Sequence, residues 1–280
     1  MTVSRHGILT RRSFLAASAV AAQAQRKHVP IGLELYSVRD EMQTDVKNVL
    51  RQVASMGYEV VEFYSVYFDY STEQTKELRK LMDDLKIRCV STHNSGKFLA
   101  PENLSRTMEL NHILGSTQII QASAGKVTSV KGWQEVAERL NQVADKLRPH
   151  GMRTGFHNHA VEFQPLEGKL PIDVVGENTV KDVILQLDVG AAVSAGGDPV
   201  AFMKRYSGRI ASMHVKDWSP ETGKGFRVLL GEGAVNWKEV FRVAESVGGI
   251  EYYFIEQEGS DHPSMETAER CLKAMRKLLG

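Results

Sequence analysis

Three side chains of the kinds that bind metal ions stand at or near the ends of apolar runs late in the sequence: Asp188, His214 and Glu256. Burying a carboxylate in an apolar run costs free energy unless the carboxylate is paired or binds a cation. Each residue alone also fits an ordinary role, such as a capping aspartate or one half of an ion pair. Together they predict a divalent cation site, and their mixed oxygen and imidazole donors suit Mn²⁺, Mg²⁺, Co²⁺ or Zn²⁺.

In general, a divalent cation can support proton transfer, because it polarises a carbonyl group and stabilises the enediolate that forms when a neighbouring C–H proton leaves. Lys216 lies two residues beyond His214 and shares its strand face, so it can reach the same cavity. Lys216 and His159 are therefore candidate acid or base groups. In a simpler alternative, Lys216 only pairs with Asp217 or with a substrate hydroxyl.

Other polar residues near strand ends could hold the hydroxyl or carboxylate groups of a substrate. The residues that we expect to contact substrate in this way are Tyr36, Arg39, His93, His157 and Arg227. Trp218 and Phe226, in the long loop after His214, could cover an apolar face of the substrate.

The elements that must position these residues alternate regularly. From Val29 onward, short β-rich runs alternate with longer amphipathic segments, which is the pattern of βα units and a parallel sheet. The eight predicted strands are Ile31–Tyr36, Val60–Tyr64, Arg88–Thr92, Gln118–Ala122, Arg153–His157, Val183–Leu187, Ile210–Val215 and Tyr252–Glu256. The predicted helices include Asp45–Met56, Thr72–Leu85, Pro101–Leu114, Trp133–His150, Pro199–Arg205, Trp237–Val247 and Met265–Leu279. This order predicts a single-domain (β/α)₈ TIM barrel over residues 28–280, with its active site at the carboxyl ends of the strands.

The composition agrees with one soluble barrel and disfavours several partners. The chain has 280 residues, of which 42% are hydrophobic and 25% are charged. Its 35 Lys and Arg nearly balance its 34 Asp and Glu, so we expect no nucleic-acid partner. No Gly-rich nucleotide-binding motif follows any predicted strand, and no apolar run is long enough to span a membrane. Cys89 and Cys271 lack the spacing of a disulfide framework or a zinc ribbon.

The first 27 residues resemble an export leader. Arg11 and Arg12 precede a short apolar run from Ala16 to Ala22, which ends in the small-residue pattern Ala22-Gln23-Ala24. This order is typical of a twin-arginine signal and predicts an exported or periplasmic protein. A tail that contains two arginines by chance is the alternative, and the protein would then stay in the cytoplasm.

The chain resembles the xylose-isomerase-like barrels, a family that includes sugar isomerases, sugar epimerases, inosose dehydratases and metal-dependent apurinic endonucleases. The resemblance covers roughly residues 30 to 278 and depends on the order and barrel positions of six segments. These segments are residues 32–40 (GLELYSVRD), 57–62 (GYEVVE), 155–159 (GFHNH) with Glu162 and Phe163, 187–190 (LDVG), 214–217 (HVKD) and 231–233 (GEG).

The resemblance implies a four-ligand metal site on strands 5 to 8. Asp188, His214 and Glu256 fall on family positions, whereas many relatives have glutamate at the end of strand 5, where this chain has histidine. Glu162 is the preferred fourth ligand, because it keeps three carboxylates on a hard cation. The alternatives for the fourth ligand are His157 and His159.

The resemblance also implies an activity, a metal-dependent sugar isomerase or epimerase that transfers a proton next to a carbonyl, with Glu162 and Glu256 as acid and base. A lyase or hydratase acting on 3-keto sugars or keto-inositols is the alternative, because it begins with the same proton abstraction. An endonuclease would need a basic face for phosphates, and a non-catalytic sugar-binding barrel would bind no stoichiometric metal. We expect a small carbohydrate as partner, and related barrels often form homo-oligomers.

Overall fold

The strands close into a barrel. The computed structural model describes residues 28–280, in which eight parallel strands pair in sequence order and the last strand pairs with the first. The strands are β1 (Ile31–Glu34), β2 (Val60–Tyr64), β3 (Arg88–Ser95), β4 (Gln118–Ser123), β5 (Arg153–His157), β6 (Ile184–Asp188), β7 (Ser212–Val215) and β8 (Tyr252–Ile255). The predicted TIM barrel is confirmed, and every predicted strand overlaps an observed one.

Helices surround the strands. They are α1 (Arg39–Met56), α2 (Thr72–Leu85), α3 (Pro101–Leu114), α4 (Val130–Leu147), α5 (Pro171–Asn178), α6 (Val189–Ser194), α7 (Pro199–Arg205), α8 (Trp237–Val243) and α9 (Ser264–Leu279). Helix α1 starts before the predicted Asp45, which is instead a break inside the helix with φ −154° and ψ 86°. The Asp45 carboxylate accepts the backbone N–H of Asn48 at 2.9 Å and so caps the segment that follows.

Local capping explains several other helix boundaries. Ser71 and Gln74 form a reciprocal capping box at the start of α2. The Ser129 hydroxyl accepts the backbone N–H of Gly132 at 3.1 Å, so α4 begins before the predicted Trp133. Helix α4 then tightens into a 3₁₀ turn at residues 148–150, around Pro149, instead of continuing to His150.

The apolar core lies mainly between the strands and the helices, while the barrel interior changes character along its axis. Phe254 and Val60 fill the barrel at the level of Gly32. A Cβ at Gly32 would lie 2.6 Å from the Phe254 ring, so only glycine fits there. Towards the carboxyl ends of the strands the interior becomes polar, with Glu62 and Gln186 fully or almost fully buried.

The predicted export leader at residues 1–27 lies outside the described residues. Within residues 28–280 no helix combines the length and the apolar character needed to cross a membrane.

Candidate active site

Buried histidine and carboxylate side chains converge at the carboxyl ends of the strands. Two groups of three among the described residues have potential ligand atoms within 4.8 Å of one another. The first group is His157, His214 and Glu256; the second is Glu34, Glu62 and His93. All six are buried, and the His157 and His214 rings lie 4.4 Å apart between centroids. The two groups therefore line one polar cavity.

In the first group, strands β5, β7 and β8 each supply one side chain. His214 Nδ1 lies 3.2 Å from the Glu256 carboxylate, and His157 Nδ1 lies 3.1 Å from the Gln186 side-chain oxygen. Burial and the positive charge of neighbouring histidines hold the pKa of His157 well below its usual range, so the ring is neutral at pH 7.

Opposing effects act on the other two members of that group. Burial alone would lower the pKa of His214, but the carboxylates of Glu62 and Glu256 outweigh it and raise the pKa well above its ordinary value. Burial would raise the pKa of Glu256, but Lys216 and His214 outweigh it and lower the pKa well below normal. Glu256 is therefore an ionised carboxylate deep in the protein.

Glu62 joins the two groups. One carboxylate oxygen lies 2.6 Å from His214 Nε2, and the other accepts from the Ser91 hydroxyl at 2.5 Å and from the Gln186 amide at 2.9 Å. Sequence reasoning did not single out Glu62 as a site residue, although a carboxylate inside the run Val-Val-Glu-Phe-Tyr was a visible signal.

The second group contains atoms with unused hydrogen-bonding capacity. Among the described residues, Glu34 Oε1 and His93 Nε2 are buried without a hydrogen-bond partner. Glu34 is fully buried, and its Oε1 lies 3.9 Å from His93 Nδ1. Burial and the nearby carboxylates of Glu256 and Glu62 raise the pKa of Glu34 well above its ordinary value. Burial lowers the pKa of His93 to about 4, so this predicted substrate-contacting residue is a neutral imidazole facing the cavity.

Lys216 is a buried cation among carboxylates. Its ammonium contacts Glu258 directly, lies 3.4 Å from Glu256 and lies 4.0 Å from Asp188. The Phe226 ring lies 5.1 Å from the ammonium. Burial would lower the pKa of Lys216, but Glu256 and Asp188 raise it far above the ordinary value, so Lys216 stays charged. Asp217, the partner that the simpler alternative gave to Lys216, instead accepts N–H groups of the following loop.

Asp188 borders the first group without belonging to it. One of its carboxylate oxygens caps α6 by accepting the backbone N–H of Ala191 at 2.8 Å, and the other faces Lys216. Burial raises the pKa of Asp188 to about 6, against the opposing effect of Lys216.

Glu162, the preferred fourth ligand, is placed differently from the expectation. Its carboxylate accepts the backbone N–H of His159 at 2.8 Å and so closes its own 3₁₀ turn. Glu162 is therefore not in either group of converging ligand atoms within residues 28–280, and His157 takes the place at the end of β5. His159 is exposed, with its ring 5.0 Å from that of His157.

The other predicted substrate-binding residues lie nearer the surface. Tyr36 packs edge-on against Tyr64 and lies 4.7 Å beneath the Arg39 guanidinium. Arg39 also reaches the Glu258 backbone carbonyl, at 3.4 Å. Arg227 is exposed and pairs with Asp261 at 2.5 Å. The structure thus places Tyr36 and Arg39 beside the loop after β8, whereas Arg227 is engaged by an acidic partner.

Asp217 explains two of the sequence motifs. Its carboxylate accepts the backbone N–H of Gly231 at 2.8 Å and of Gly233 at 3.2 Å, and the Trp237 indole N–H at 2.9 Å. A Cβ at Gly233 would lie 2.1 Å from this carboxylate, so glycine is required there. Asp217 of the HVKD segment therefore holds the GEG segment in place, next to Lys216.

The side chains that converge at this site are suitable ligands for a divalent cation. The first group offers two imidazoles and one carboxylate, which is a donor set that binds Zn²⁺, Co²⁺ and related ions. The orphaned Glu34 Oε1 adds a further buried oxygen in the same cavity. Asp188 lies beside this group. A bound cation would therefore have the ionised Glu256 and the neutral His157 as ligands, with a further carboxylate close by.

Comparison with known proteins decides the family. The family model described as "xylose isomerase-like TIM barrel" matches residues 50–278. The chain belongs to this family. The barrel fold is the one that the resemblance implied.

Individual relatives are distant. An inosose dehydratase of Clostridium perfringens is 26% identical over 168 residues, covering 54% of this chain and 55% of that protein. The chain thus spans about half the length of this curated relative. An inosose dehydratase of Clostridium botulinum is 23% identical over 239 residues, covering 70% and 76%. The crystal structure of a sugar phosphate isomerase/epimerase from Parabacteroides distasonis is 24% identical, covers 92% of this chain and 97% of its own, and has a TM-score of 0.76.

Proposed function

We propose that this barrel is a cation-dependent lyase that removes water, or an equivalent leaving group, from a polyhydroxylated ketone such as a keto-inositol or a 3-keto sugar. The observation that carries this proposal is the contact between Lys216 and Glu256, 3.4 Å apart in the buried cavity. The carboxylate of Glu256 and the ammonium of Lys216 are in the protonation states that a base and an acid need at the start of a reaction, and at this distance they can reach neighbouring atoms of one substrate.

These two residues account for both protons that move during the elimination. Glu256 takes the proton from the carbon next to the carbonyl, the carbon–oxygen bond at the next carbon breaks, and Lys216 gives its proton to the departing oxygen. A divalent cation held by the strand-end residues would polarise the carbonyl and stabilise the charge that develops on its oxygen. Transfer of the proton from Glu256 back to Lys216 then restores both groups.

Elimination fits the strand-5 residues better than epimerisation does. An epimerase needs a second group that returns a proton to the carbon from the opposite face. Of the two residues at or after the end of β5 that could serve, Glu162 bonds its own turn, and His157 keeps only Nε2 because its Nδ1 bonds Gln186. The named sequence relatives that are inosose dehydratases support the same choice.

One observation favours epimerisation as the second candidate. His93 Nε2 is buried and open, and its ring lies 4.4 Å from that of His157. A neutral imidazole there is a possible second proton carrier. Isomerisation or epimerisation, the activity that the sequence favoured, would follow if His93 rather than Lys216 delivers the proton.

The charges of the site favour an unphosphorylated substrate. Lys216 is surrounded by three carboxylates, and Arg227 is paired with Asp261 at the surface. Neither side chain offers the free, converging positive charge that a phosphate group requires. This agrees with the proposal that residues 1–27 export the protein to a compartment of free sugars and glycosides.

The test is to incubate the Co²⁺-loaded protein with 2-keto-myo-inositol or a 3-keto glucoside in D₂O and to follow the products by proton NMR. We expect loss of the signal next to the carbonyl together with an unsaturated product. Deuterated substrate with an epimer and no unsaturated product would support the second candidate instead. Intact substrate that retains its C–H signal would contradict both.

A further inference from the structure

A buried hydrogen-bond network contacts one ring nitrogen of His157 and one ring nitrogen of His214. Glu62 lies at its centre, with Ser91, Gln186 and His214 as its hydrogen-bond partners. Each of these contacts has a defined direction, because a carboxylate only accepts hydrogen bonds.

The direction of the Gln186 amide follows from that rule. Its nitrogen donates to Glu62 at 2.9 Å and lies 3.1 Å from the Ser212 hydroxyl. Its oxygen therefore faces His157 Nδ1, at 3.1 Å, and can only accept. His157 must carry its proton on Nδ1, which leaves Nε2 as a lone-pair donor.

The same rule orients His214 from the other side. Its Nε2 lies 2.6 Å from the Glu62 carboxylate and must donate to it, so only Nδ1, the nitrogen that faces Glu256, can bind a cation, and it would lose its proton on binding. A carboxylate or amide behind a metal-binding histidine is the usual device that fixes its tautomer and ring orientation. Here one carboxylate does so directly for His214 and, through Gln186, for His157.

We propose that Glu62 and Gln186 are positioning residues that hold His157 and His214 as two imidazole ligands, and that the site thereby selects Zn²⁺, Co²⁺ or Fe²⁺ over Mg²⁺. This inference rests on the proposed function for the presence of a cation, and it names the class of cation. With His157 in place of a strand-5 carboxylate, the converging set is two imidazoles and one carboxylate, and imidazole favours these ions over Mg²⁺.

The experiment is a binding titration of the cation-free protein, residues 1–280, with Zn²⁺, Co²⁺ and Mg²⁺, each in competition with a chelator of known affinity. We expect one Zn²⁺ or Co²⁺ per chain, bound at least about 100-fold more tightly than Mg²⁺. Glu62→Gln and Gln186→Met should each weaken Co²⁺ binding by about 10-fold to 100-fold. His157→Glu should reduce the preference for Co²⁺ over Mg²⁺ by at least about 10-fold.

A matched control is Gln118→Met, because Gln118 is also a fully buried glutamine on a barrel strand but bonds Glu251 rather than a histidine. It should bind Co²⁺ within about threefold of the wild type. Circular dichroism and thermal unfolding verify that each variant folds. Unchanged Co²⁺ affinity in Glu62→Gln and Gln186→Met, equal losses in Gln118→Met, or Mg²⁺ bound as tightly as Co²⁺ would each overturn the inference. Cation affinity is measured without substrate, so selective Co²⁺ binding without elimination would refute only the proposed function.

Discussion

The Glu62 carboxylate lies 2.6 Å from Nε2 of His214, although the two residues are 152 positions apart in the chain. Closure of the barrel through β8 and β1 brings β2 within three strands of β7, and their inward side chains meet in the barrel interior. The contact joins the two halves of the polar cluster.

Lys216→Met should lower kcat for elimination by about 100-fold or more, because the departing oxygen loses its proton donor. Steady-state kinetics with a keto-inositol measure the change. Lys224→Met is the matched control, since Lys224 lies in the same loop and pairs with Glu221 at the surface. Equal activity in Lys216→Met and in the control would exclude Lys216 as the acid.

Asp217→Asn should destabilise the loop behind Lys216, because one acceptor oxygen becomes an amide that cannot accept the N–H groups now bound to it. We expect a loss of about 2 to 4 kcal/mol and a Tm lower by roughly 5 to 15 °C. Thermal unfolding of the variant measures this loss. Asp182→Asn serves as the control, because Asp182 makes a single exposed ion pair with Arg148. A Tm for Asp217→Asn as high as that of the control would show that the carboxylate does not anchor the loop.

His93 should make the stability of the cation-free protein depend on pH. Its pKa is about 4 in the folded protein, below the ordinary value of 6.5, so the unfolded chain binds the extra proton between these values. The free energy of unfolding of the wild type should therefore rise relative to His93→Asn as the pH increases from 4 to 6.5, and the difference should level off above that. Urea unfolding at pH 4.5, 5.5 and 7 tests the sign. A difference that shrinks with increasing pH would contradict a buried neutral His93.

Much of the barrel could be predicted from the sequence, because its signals are local. Apolar β-rich runs and amphipathic segments marked all eight strands, and helix α2 was predicted at its observed bounds. Where bounds differed, a specific cap or break was responsible, as at Asp45 and Ser129. Such effects depend on one side chain and are weaker than the periodic pattern.

The site was predicted less completely, for a physical reason. Residues at strand ends, such as Asp188 and His214, were recognisable because the barrel fold places strand ends at the active site. Glu34 ends β1, but the predicted strand continued to Tyr36 and so did not mark Glu34 as a strand-end residue. Gln186 lies within β6, and the sequence pattern does not show that its side chain points into the barrel. The Lys216–Glu258 contact joins two separate loops, and the turn that engages Glu162 is equally a product of the folded chain.

The most direct test of the account is cation dependence of proton abstraction. The protein as purified is incubated with 2-keto-myo-inositol in D₂O, then treated with a chelator and dialysed, and finally supplied with Co²⁺, while the C–H signal next to the carbonyl is followed by proton NMR. We expect this signal to be lost with the cation present, to persist after chelation and to be lost again when Co²⁺ returns. Exchange that continues unchanged after the cation has been removed, or no exchange by protein shown to hold one Co²⁺ per chain, would contradict it.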